Sequence, residues 1–314
     1  YIYIMKILIT GGTGFLGSNL CETLLDLGHE IYCLDNNYTG SLKNIEQLKK
    51  NNMFHFIYQD IIEPITLNVD IDEIYHLACP ASPPKYQKDP IYTAKICFLG
   101  AMNVLEFAKK KNAKVLLAST SEIYGEPLIS PQHEEYRGNT NTLGIRSCYD
   151  EGKRIAETLF MDFNRFYNVN TRIIRIFNTY GPKMNKNDGR VVSNFINQAL
   201  SNIDITIYGK GVQTRSFCYV TDLISGMIKC MASEYHLSIN LGNTKEISIL
   251  NIGKIIIELT KSNSKIIFKQ LPEDDPTNRK PDITKARKIL NWEPKIILRD
   301  GLLKTIEYFN TVKS

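Results

Sequence analysis

The glycine-rich segment after the first predicted strand constrains the fold more than any other feature. The apolar, β-branched run Lys6–Thr10 leads directly into GGTGFLG (11–17), a G-x-x-G-x-x-G loop that opens an amphipathic helix predicted over 18–27. Glycine permits a tight turn and a close backbone approach, so a pyrophosphate can rest on free N–H groups at the positive helix terminus. The segment therefore predicts a dinucleotide-binding βαβ unit.

The first half of the chain repeats this alternation of short apolar runs and helical stretches, which is typical of a parallel sheet covered on both faces. We predict an α/β fold: a Rossmann-type doubly wound parallel sheet with a smaller C-terminal substrate-binding lobe. We expect the dinucleotide-binding domain to span 1–177 with a return segment about 208–236, and 178–314 to form mainly the second lobe. The predicted strands are 6–10, 30–35, 54–59, 73–78, 115–120 and 171–177.

An acid at the end of the second strand indicates which dinucleotide binds. Asp35 lies about 20 residues beyond the loop, where a ribose-binding carboxylate is expected. It would accept hydrogen bonds from ribose hydroxyls and repel a 2′-phosphate, which favours NAD over NADP. Asp60, at the end of the third strand, is either a contact at the adenine end or a solvated turn residue. The cofactor-binding candidates are Gly11, Gly14, Phe15, Leu16, Gly17, Asp35, Asn36, Asp60, Ile61, Leu77, Ala78, Tyr149 and Lys153.

Tyr149 and Lys153 are the candidate catalytic pair. They stand at i and i+4 of a predicted helix and so share one face. A phenol with a pKa near ~10 becomes a useful base at neutral pH only beside a cation, which Lys153 and an oxidised nicotinamide would supply. The alternative is an ordinary exposed helical pair.

Charge and cysteine usage exclude several classes of protein. The 38 Lys and Arg against 33 Asp and Glu give a net charge of +5, and the basic residues are scattered, so we expect no nucleic-acid partner. The seven cysteines lack Cys-x-x-Cys spacing and predict reduced core residues, with no disulfide framework and no metal site. Without a visible signal peptide or membrane segment, the expected location is cytoplasmic, with no membrane partner.

The segment TSE (120–122) ends the fifth predicted strand, where ligands bind in open α/β sheets. With the glycine loop, Asp35 and the Tyr/Lys pair, the chain resembles the extended short-chain dehydrogenase/reductase family, which modifies nucleotide sugars. By this resemblance, Thr120 stands for the catalytic Ser/Thr. Sugar 4,6-dehydratases of the family carry Thr-Asp-Glu here, and Ser121 in place of the acid counts against a dehydratase.

Within that family the chain is similar to the UDP-glucuronate decarboxylase branch. Six stretches carry the resemblance: HLACPASPPKYQ (76–87), RSCYDEGKR (146–154), RIFNTYGP (175–182), DGRVVSNF (188–195), QTRSF (213–217) and RKPD (279–282). Three residues depart from the pattern of that branch. Lys210 stands between two glycines where aspartate is usual, Arg137 stands where an aromatic residue is usual, and Thr142 stands where proline is usual. The resemblance implies decarboxylation of UDP-glucuronate to UDP-xylose through a 4-keto intermediate, with NAD regenerated in each cycle.

The resemblance also implies site residues and an oligomer. The implied catalytic residues are Thr120, Ser121, Glu122, Tyr149, Lys153 and Arg279. The implied substrate-binding residues are Pro80, Ala81, Lys85, Tyr86, Asn178, Arg190, Val192, Tyr208, Gln213, Arg215 and Arg279. Helices around 149–166 and 100–109 are expected to pair two chains as a homodimer, as in the family.

Roles within this set leave alternatives open. Arg279 matches an arginine that the family places at the sugar carboxylate, or it forms a surface ion pair with Asp274, Asp275 or Asp282. Glu122 is expected to contact a ring hydroxyl or water, or to destabilise the bound carboxylate, while Ser121 positions the water that protonates C5. Arg190 and Arg215 would meet the diphosphate, and Asn178, Val192 and Tyr208 the sugar or uridine; ordinary packing or surface roles are the alternative for each.

Other functions are compatible with the same motifs. An epimerase, or an oxidative decarboxylase that releases a 4-keto pentose and NADH, would use the same Tyr149, Lys153 and Thr120. A non-catalytic NAD-binding sensor is a third class, but it would not need these residues together with Glu122.

Overall fold

The computed structural model of the chain describes residues 3–270 and 278–311. Its strands are β1 (Lys6–Thr10), β2 (Glu30–Asp35), β3 (Phe54–Tyr58), β4 (Glu73–His76), β5 (Lys114–Thr120), β6 (Thr171–Ile176), β7 (Thr179–Tyr180), β8 (Ile205–Tyr208), β9 (Thr214–Ser216), β10 (Cys218–Tyr219), β11 (Ser238–Leu241), β12 (Glu246–Ser248) and β13 (Ile266–Lys269). Its helices are α1 (Phe15–Asp26), α2 (Pro83–Tyr86), α3 (Pro90–Lys95), α4 (Ala101–Lys111), α5 (Ser147–Tyr167), α6 (Val191–Leu200), α7 (Val220–Ala232), α8 (Ile249–Thr260), α9 (Thr284–Leu290) and α10 (Leu298–Thr311). Short 3₁₀ turns cover Leu42–Ile45, Leu48–Lys50 and Ser121–Tyr124, and a π-helical turn covers Ile96–Gly100.

A seven-stranded parallel sheet organises the described residues. Its strand order is β11-β6-β5-β4-β1-β2-β3, and each neighbouring pair in it is parallel. The order reverses between β1 and β4, where the crevice at the carboxyl ends of the strands receives ligands in open α/β sheets. The expected α/β, doubly wound fold is confirmed, and the six predicted strands are present within two residues of their expected ends.

Successive side chains along a strand point to opposite faces of the sheet, and this produces two apolar layers. Ile7 and Ile9 of β1 belong to one buried cluster with side chains of α1 and α7, whereas Leu8 belongs to a second cluster with side chains of α4 and α5. Because successive side chains point to opposite faces, one strand supplies both layers. The sheet is thus covered on both faces, and its strand ends are held rigidly.

Residues beyond β6 build a second region and also return to the sheet. Small paired strands, β7 with β10, β8 with β13 and β9 with β12, lie beside α6, α8 and α10. The chain re-enters the main sheet through α7, which packs on α1, and then through β11, which pairs with β6. The sequence did not predict β11, which lies just beyond the expected return segment. The division into lobes at residue 177 stays a prediction.

The helical run Pro90–Lys111 comprises α3, the π-helical turn and α4. It is the one helix among the described residues that is long and apolar enough to cross a membrane by length and composition, with a mean hydropathy of 1.3. Half of the 18-residue apolar stretch within this helical run is buried inside the fold. This is the burial of a core helix that packs on one side against the sheet.

Candidate active site

One cavity of about 870 Å³ lies at the carboxyl ends of the central strands. Every residue named above as a cofactor-binding, catalytic or substrate-binding candidate lines it, from Gly11 at one end to Tyr208 and Arg215 at the other. The structure therefore brings the whole candidate set together, and their individual roles stay predictions.

The glycine loop forms a backbone cradle so closely packed that side chains on it would collide with neighbouring backbone. Gly11 has φ of +74°, and a Cβ there would lie 2.7 Å from the backbone nitrogen of Ala78. A Cβ on Gly17 would lie 2.1 Å from the carbonyl oxygen of Gly11. Within the described chain no side chain caps the N-terminus of α1, which begins at Phe15. Its free N–H groups fit a pyrophosphate, so the residues present suit a dinucleotide.

Asp35 stands at the end of β2 beside this cradle. Its carboxylate accepts hydrogen bonds from the backbone N–H of Thr13 at 3.0 Å and of Asn37 at 2.6 Å. These bonds tie the glycine loop to β2 and orient the carboxylate along the cavity. At the next strand, Asn36 donates to Asp60 at 3.0 Å, and Tyr92 also donates to Asp60. Asp60 is thus partly buried at the start of a turn, where it belongs to a hydrogen-bonded cluster, and its role at the adenine end stays a prediction.

Asp35→Ala should weaken NAD binding by roughly 10- to 100-fold, which corresponds to losing a hydrogen bond of about 1.5–3 kcal/mol to a charged group. It should also relax discrimination against NADP, because the 2′-phosphate no longer meets a carboxylate. Calorimetric titration with both cofactors measures the two affinities. Asp35→Asn is the matched control, since it removes the charge but keeps an oxygen for the N–H of Thr13. Unchanged affinities for both cofactors in the Ala variant would place the ribose elsewhere.

Tyr149, Lys153 and Thr120 converge at the cavity floor. The Lys153 ammonium donates to the carbonyl oxygen of Ala118 at 2.9 Å and lies 6.0 Å from the centre of the Tyr149 ring. Burial raises the pKa of the Tyr149 hydroxyl well above its usual range, and a hydrogen bond with Thr120 acts in the opposite direction. The phenol therefore depends on positive charge supplied beside it before it can act as a base. Tyr86 stacks on Tyr149 with ring centres 4.9 Å apart and fixes the ring plane.

Two arginines hold Glu122. Arg146 donates to its carboxylate at 2.5 Å, and Arg279 donates through two nitrogens at 3.3 Å each. Burial raises the pKa of Glu122, but the charges of Arg279 and Arg146 outweigh it and lower the pKa to about 2. Glu122 is therefore an anion that occupies both guanidinium groups.

This pairing decides among the alternatives for Arg279. Its side chain is only 3% exposed and pairs with Glu122, so the surface ion pair with Asp282 is wrong. The Asp282 carboxylate instead accepts from the backbone N–H of Thr284 at 2.8 Å. The other two alternative partners, Asp274 and Asp275, lie outside the described residues.

Asp150 is a buried carboxyl beside this cluster. Its Oδ1 atom has no hydrogen-bond partner within the described part of the chain. Burial, followed by the negative charge of Glu122, raises its pKa to about 7, although Arg146 and Arg279 oppose the rise. Asp150 thus lies between protonated and ionised forms at neutral pH.

Because Asp150 holds its proton to a higher pH when folded than when unfolded, the folded chain binds more protons between about pH 4 and 7. Its contribution to stability therefore falls as pH rises through that window and stays low above pH 7. We expect Asp150→Asn to reduce the drop in melting temperature between pH 5 and pH 8, as measured by differential scanning calorimetry. Asp162→Asn, on the same helix but partly exposed and paired with Arg165, is the control. An equal pH dependence in wild type and Asp150→Asn would contradict this account.

The far end of the cavity carries the candidates for the diphosphate and the uridine. Arg190 donates to the Asp188 carboxylate, and Arg215 donates to the carbonyl oxygen of Thr214 at 2.9 Å. Gln213 donates to the carbonyl oxygen of Tyr208 at 2.7 Å, which orders the loop around Lys210. Both residues thus line the cavity, Arg215 from β9 and Arg190 from the residue that precedes α6.

Sequence reasoning missed Arg146 and Cys79, which also line the cavity. A signal for Arg146 existed: it stands three residues before Tyr149 and seven before Lys153, spacings that place all three on one helix face. Nothing in the spacing pointed to Cys79. The side chain that it contacts, Cys97, lies 18 residues away in the π-helical turn.

Comparisons with known proteins agree with this geometry. The sequence profile of the GDP-mannose 4,6 dehydratase family matches residues 8–305. The chain is 49% identical over 306 residues to UDP-glucuronic acid decarboxylase 4 of Arabidopsis thaliana, covering 98% of this chain and 69% of the relative.

Two solved structures show the same likeness. A UDP-glucose 4-epimerase of Thermotoga maritima solved with UDP-glucose superposes with a TM-score of 0.92 at 28% identity, covering 99% of this chain and all of the other. The UDP-glucuronic acid 4-epimerase of Bacillus cereus, solved with UDP-glucuronic acid and NAD, gives a TM-score of 0.87 at 28% identity, covering 98% and 100% of the two chains. The chain belongs to the extended short-chain dehydrogenase/reductase family, among the UDP-glucuronic acid decarboxylases.

Proposed function

We propose that the protein decarboxylates UDP-glucuronate to UDP-xylose through a UDP-4-keto intermediate, with NAD as a cofactor that is reduced and re-oxidised within one cycle. The observation that carries this proposal is the meeting of Tyr149, Thr120 and Lys153 with the Glu122–Arg146–Arg279 cluster in one cavity. The hydroxyl and ammonium groups of Tyr149, Thr120 and Lys153 suit oxidation of a sugar carbon that carries a hydroxyl. The arginine cluster suits a substrate with a carboxylate on the neighbouring carbon.

The glycine loop, the N-terminus of α1 and Asp35 would hold the NAD pyrophosphate and ribose, and Leu77 and Ala78 would form the adjoining wall. NAD held there would supply hydride acceptance and hydride return at C4 of the sugar. Tyr149 removes the proton of the 4-hydroxyl, assisted by the positive charge of Lys153. Tyr149 and Thr120 both line the cavity, and in this proposal their hydroxyls bind the oxygen at C4.

Decarboxylation then follows from the position of the ketone. The carboxylate at C5 is β to the 4-keto group, so the C5–carboxylate bond breaks with its electrons entering an enolate. Hydrogen bonds from Tyr149 and Thr120 stabilise the enolate oxygen. Ser121, buried at the start of the 3₁₀ turn that follows β5, positions the water that protonates C5.

The arginine cluster provides the charge that a carboxylate substrate requires. Arg146 and Arg279 line the cavity and both donate to Glu122. A substrate carboxylate beside them would meet guanidinium groups, whose paired hydrogen bonds would orient it. Arg190 and Arg215 face the diphosphate at the other end of the cavity.

Product analysis tests the proposal directly. The purified protein is incubated with UDP-glucuronate and catalytic NAD, and the products are followed by NMR and mass spectrometry. We expect UDP-xylose and one CO₂ per substrate without NADH accumulation. UDP-galacturonate would indicate an epimerase, stoichiometric NADH with a 4-keto pentose would indicate an oxidative decarboxylase, and no turnover would indicate a binding module; each would overturn the proposal.

We also propose a homodimer, formed through the outer side of the Pro90–Lys111 helical run and α5. The apolar residues of α4 are mostly buried, but Ile91, Phe98 and Leu99 are exposed and line a shallow apolar groove with Cys148 at the start of α5. Isologous pairing of such faces is the commonest symmetry of soluble oligomers.

Sedimentation equilibrium at micromolar concentration should give twice the chain mass. Ile91→Glu should shift the protein to the monomer, because it places a charge in the apolar groove. Leu128→Glu is the matched control, because Leu128 is also an exposed apolar residue but lies outside the groove. This variant should stay dimeric. A single monomeric mass for the wild type would refute the dimer.

We place the protein in the cytoplasm as part of this proposal. Its seven cysteines are all free thiols, as expected in a reducing compartment. Fractionation of cells that express the full-length protein tests this placement.

A further inference from the structure

Two thiols are in contact beside the catalytic tyrosine. The Sγ atoms of Cys79 and Cys97 lie 3.4 Å apart. Cys79 follows β4 and belongs to the cavity wall, whereas Cys97 lies in the π-helical turn. The two residues come from separate elements, so a bond between them would cross-link the cavity wall to the helical layer behind it.

The two thiols differ in access and in acidity. Cys79 is partly exposed in the cavity, while Cys97 is only 2% exposed. A hydrogen bond with Cys97, together with the charge of Lys153, lowers the pKa of Cys79 despite its burial. By contrast, burial raises the pKa of Cys218 and Cys230, which lie in the core away from the cavity. Thiolate character and access together favour oxidation at Cys79.

We propose that Cys79 and Cys97 form a reversible redox site in which a peroxide that enters the cavity joins them as a disulfide. The Cys79 thiolate attacks one peroxide oxygen, so the O–O bond breaks and Cys79 becomes a sulfenic acid while the leaving hydroxide takes a proton. The sulfur of Cys97 then displaces the second hydroxide, which leaves as water with the Cys97 proton. In sum, two thiols lose two electrons to hydrogen peroxide and two waters form.

Disulfide formation should stop catalysis, an effect that rests on the proposed function. The sulfurs must approach from 3.4 Å to about 2.05 Å. Cys79 is held between Ala78 and Pro80 in the cavity wall. Cys97 packs against Gly152, where a Cβ would lie 2.9 Å from the Cys97 side chain. Gly152 immediately precedes Lys153, so we expect the movement to displace either the wall or the helix turn that carries Tyr149 and Lys153. Misplacement of catalytic groups by about 1 Å is enough to lower turnover by about 100-fold.

Cys148 is the third thiol nearby and provides an internal comparison. Its thiol donates to the carbonyl oxygen of Tyr86 at 3.7 Å, and burial raises its pKa. We therefore expect Cys148 to stay reduced while Cys79 and Cys97 react.

The test treats the full-length protein, saturated with NAD, with a graded series of hydrogen peroxide. Free thiols are then alkylated without reduction and the protein is digested with trypsin. Lys85, Lys95 and Arg146 separate the three cysteines into different peptides, so a Cys79–Cys97 link has a unique mass. Activity is measured on the same samples before and after dithiothreitol. We expect the linked peptide to rise as activity falls about 100-fold, and both to reverse on reduction.

Two variants sharpen the test. Cys97→Ala removes the resolving thiol, so Cys79 should proceed to sulfinic acid and the lost activity should not return with dithiothreitol. Cys218→Ala, a buried cysteine away from the cavity, should keep the reversible behaviour of the wild type.

Several results would overturn the proposal: loss of activity while both thiols stay alkylatable, a link to Cys148 in place of Cys97, full recovery of Cys97→Ala, or a linked peptide with undiminished activity. Peptide mapping does not require turnover. A protein that links Cys79 to Cys97 but never decarboxylates UDP-glucuronate would therefore refute the proposed function and leave the disulfide established.

Discussion

Replacing Tyr149 with phenylalanine should lower kcat for UDP-glucuronate by roughly 10²- to 10⁴-fold, the range expected when a general acid–base group is removed. The ring stacks on Tyr86, so phenylalanine can keep the packing while the hydroxyl that contacts Thr120 is lost. NAD affinity and melting temperature should therefore change little. Steady-state kinetics, calorimetric NAD titration and thermal unfolding measure the three quantities.

Tyr167→Phe is the matched control for this variant, because Tyr167 lies on the same helix but is exposed. It should retain the turnover of the wild type. Near-wild-type turnover in Tyr149→Phe would remove Tyr149 from the mechanism, whereas loss of NAD binding would show that the hydroxyl serves the cofactor and not the sugar.

The second large effect is expected at Arg279. Truncating one partner of a buried charge pair costs about 2–5 kcal/mol, so Arg279→Ala should reduce kcat/KM for UDP-glucuronate roughly 30- to several-thousand-fold. The loss combines two causes: the substrate carboxylate loses a guanidinium, and Glu122 is left with Arg146 alone. Arg279→Lys keeps the charge without the planar fork and should recover only part of the activity. Arg287→Ala, which breaks an exposed pair with Glu293, is the control and should act like the wild type.

The same arrangement limits how strongly UDP-glucose is rejected. On sequence grounds alone, a neutral substrate would leave Arg279 buried without any anion. In the structure Glu122 already supplies an anion to Arg279, so the penalty for a neutral substrate and the expected discrimination are smaller. Competing the two substrates and comparing kcat/KM measures it. Equal turnover of UDP-glucose and UDP-glucuronate, or full activity in Arg279→Ala, would reject carboxylate recognition by this cluster.

The features that could be predicted from sequence are those with short-range physical signatures. The glycine loop, Asp35 and the Tyr149/Lys153 pair each depend on a turn, a strand end or one helical face, and local spacing reveals such features. The resemblance to a known family then supplied distant members of the site, including Arg279.

The missed features depend on contacts that no local pattern encodes. β11 is four residues long and becomes a strand only because β6 offers it a free edge. The charge pairing of Glu122 with Arg279 joins residues far apart in sequence, so its existence follows from the fold and not from either motif. The same holds for Cys79 and Cys97, which meet only because a π-helical turn directs one toward the end of a strand.

The return of the chain to its own sheet has a consequence for synthesis. A nascent chain that ends before residue 238 can contain β1 to β6 and the entire NAD cradle, but β6 still presents an unpaired edge. Exposed edges invite pairing with other chains, and larger proteins are most prone to aggregate while such edges are open. Arg279 emerges later still. A ribosome therefore carries a chain that contains the residues of the cradle well before its sheet is complete, and any cofactor bound at that stage would stabilise the open intermediate during its most vulnerable interval.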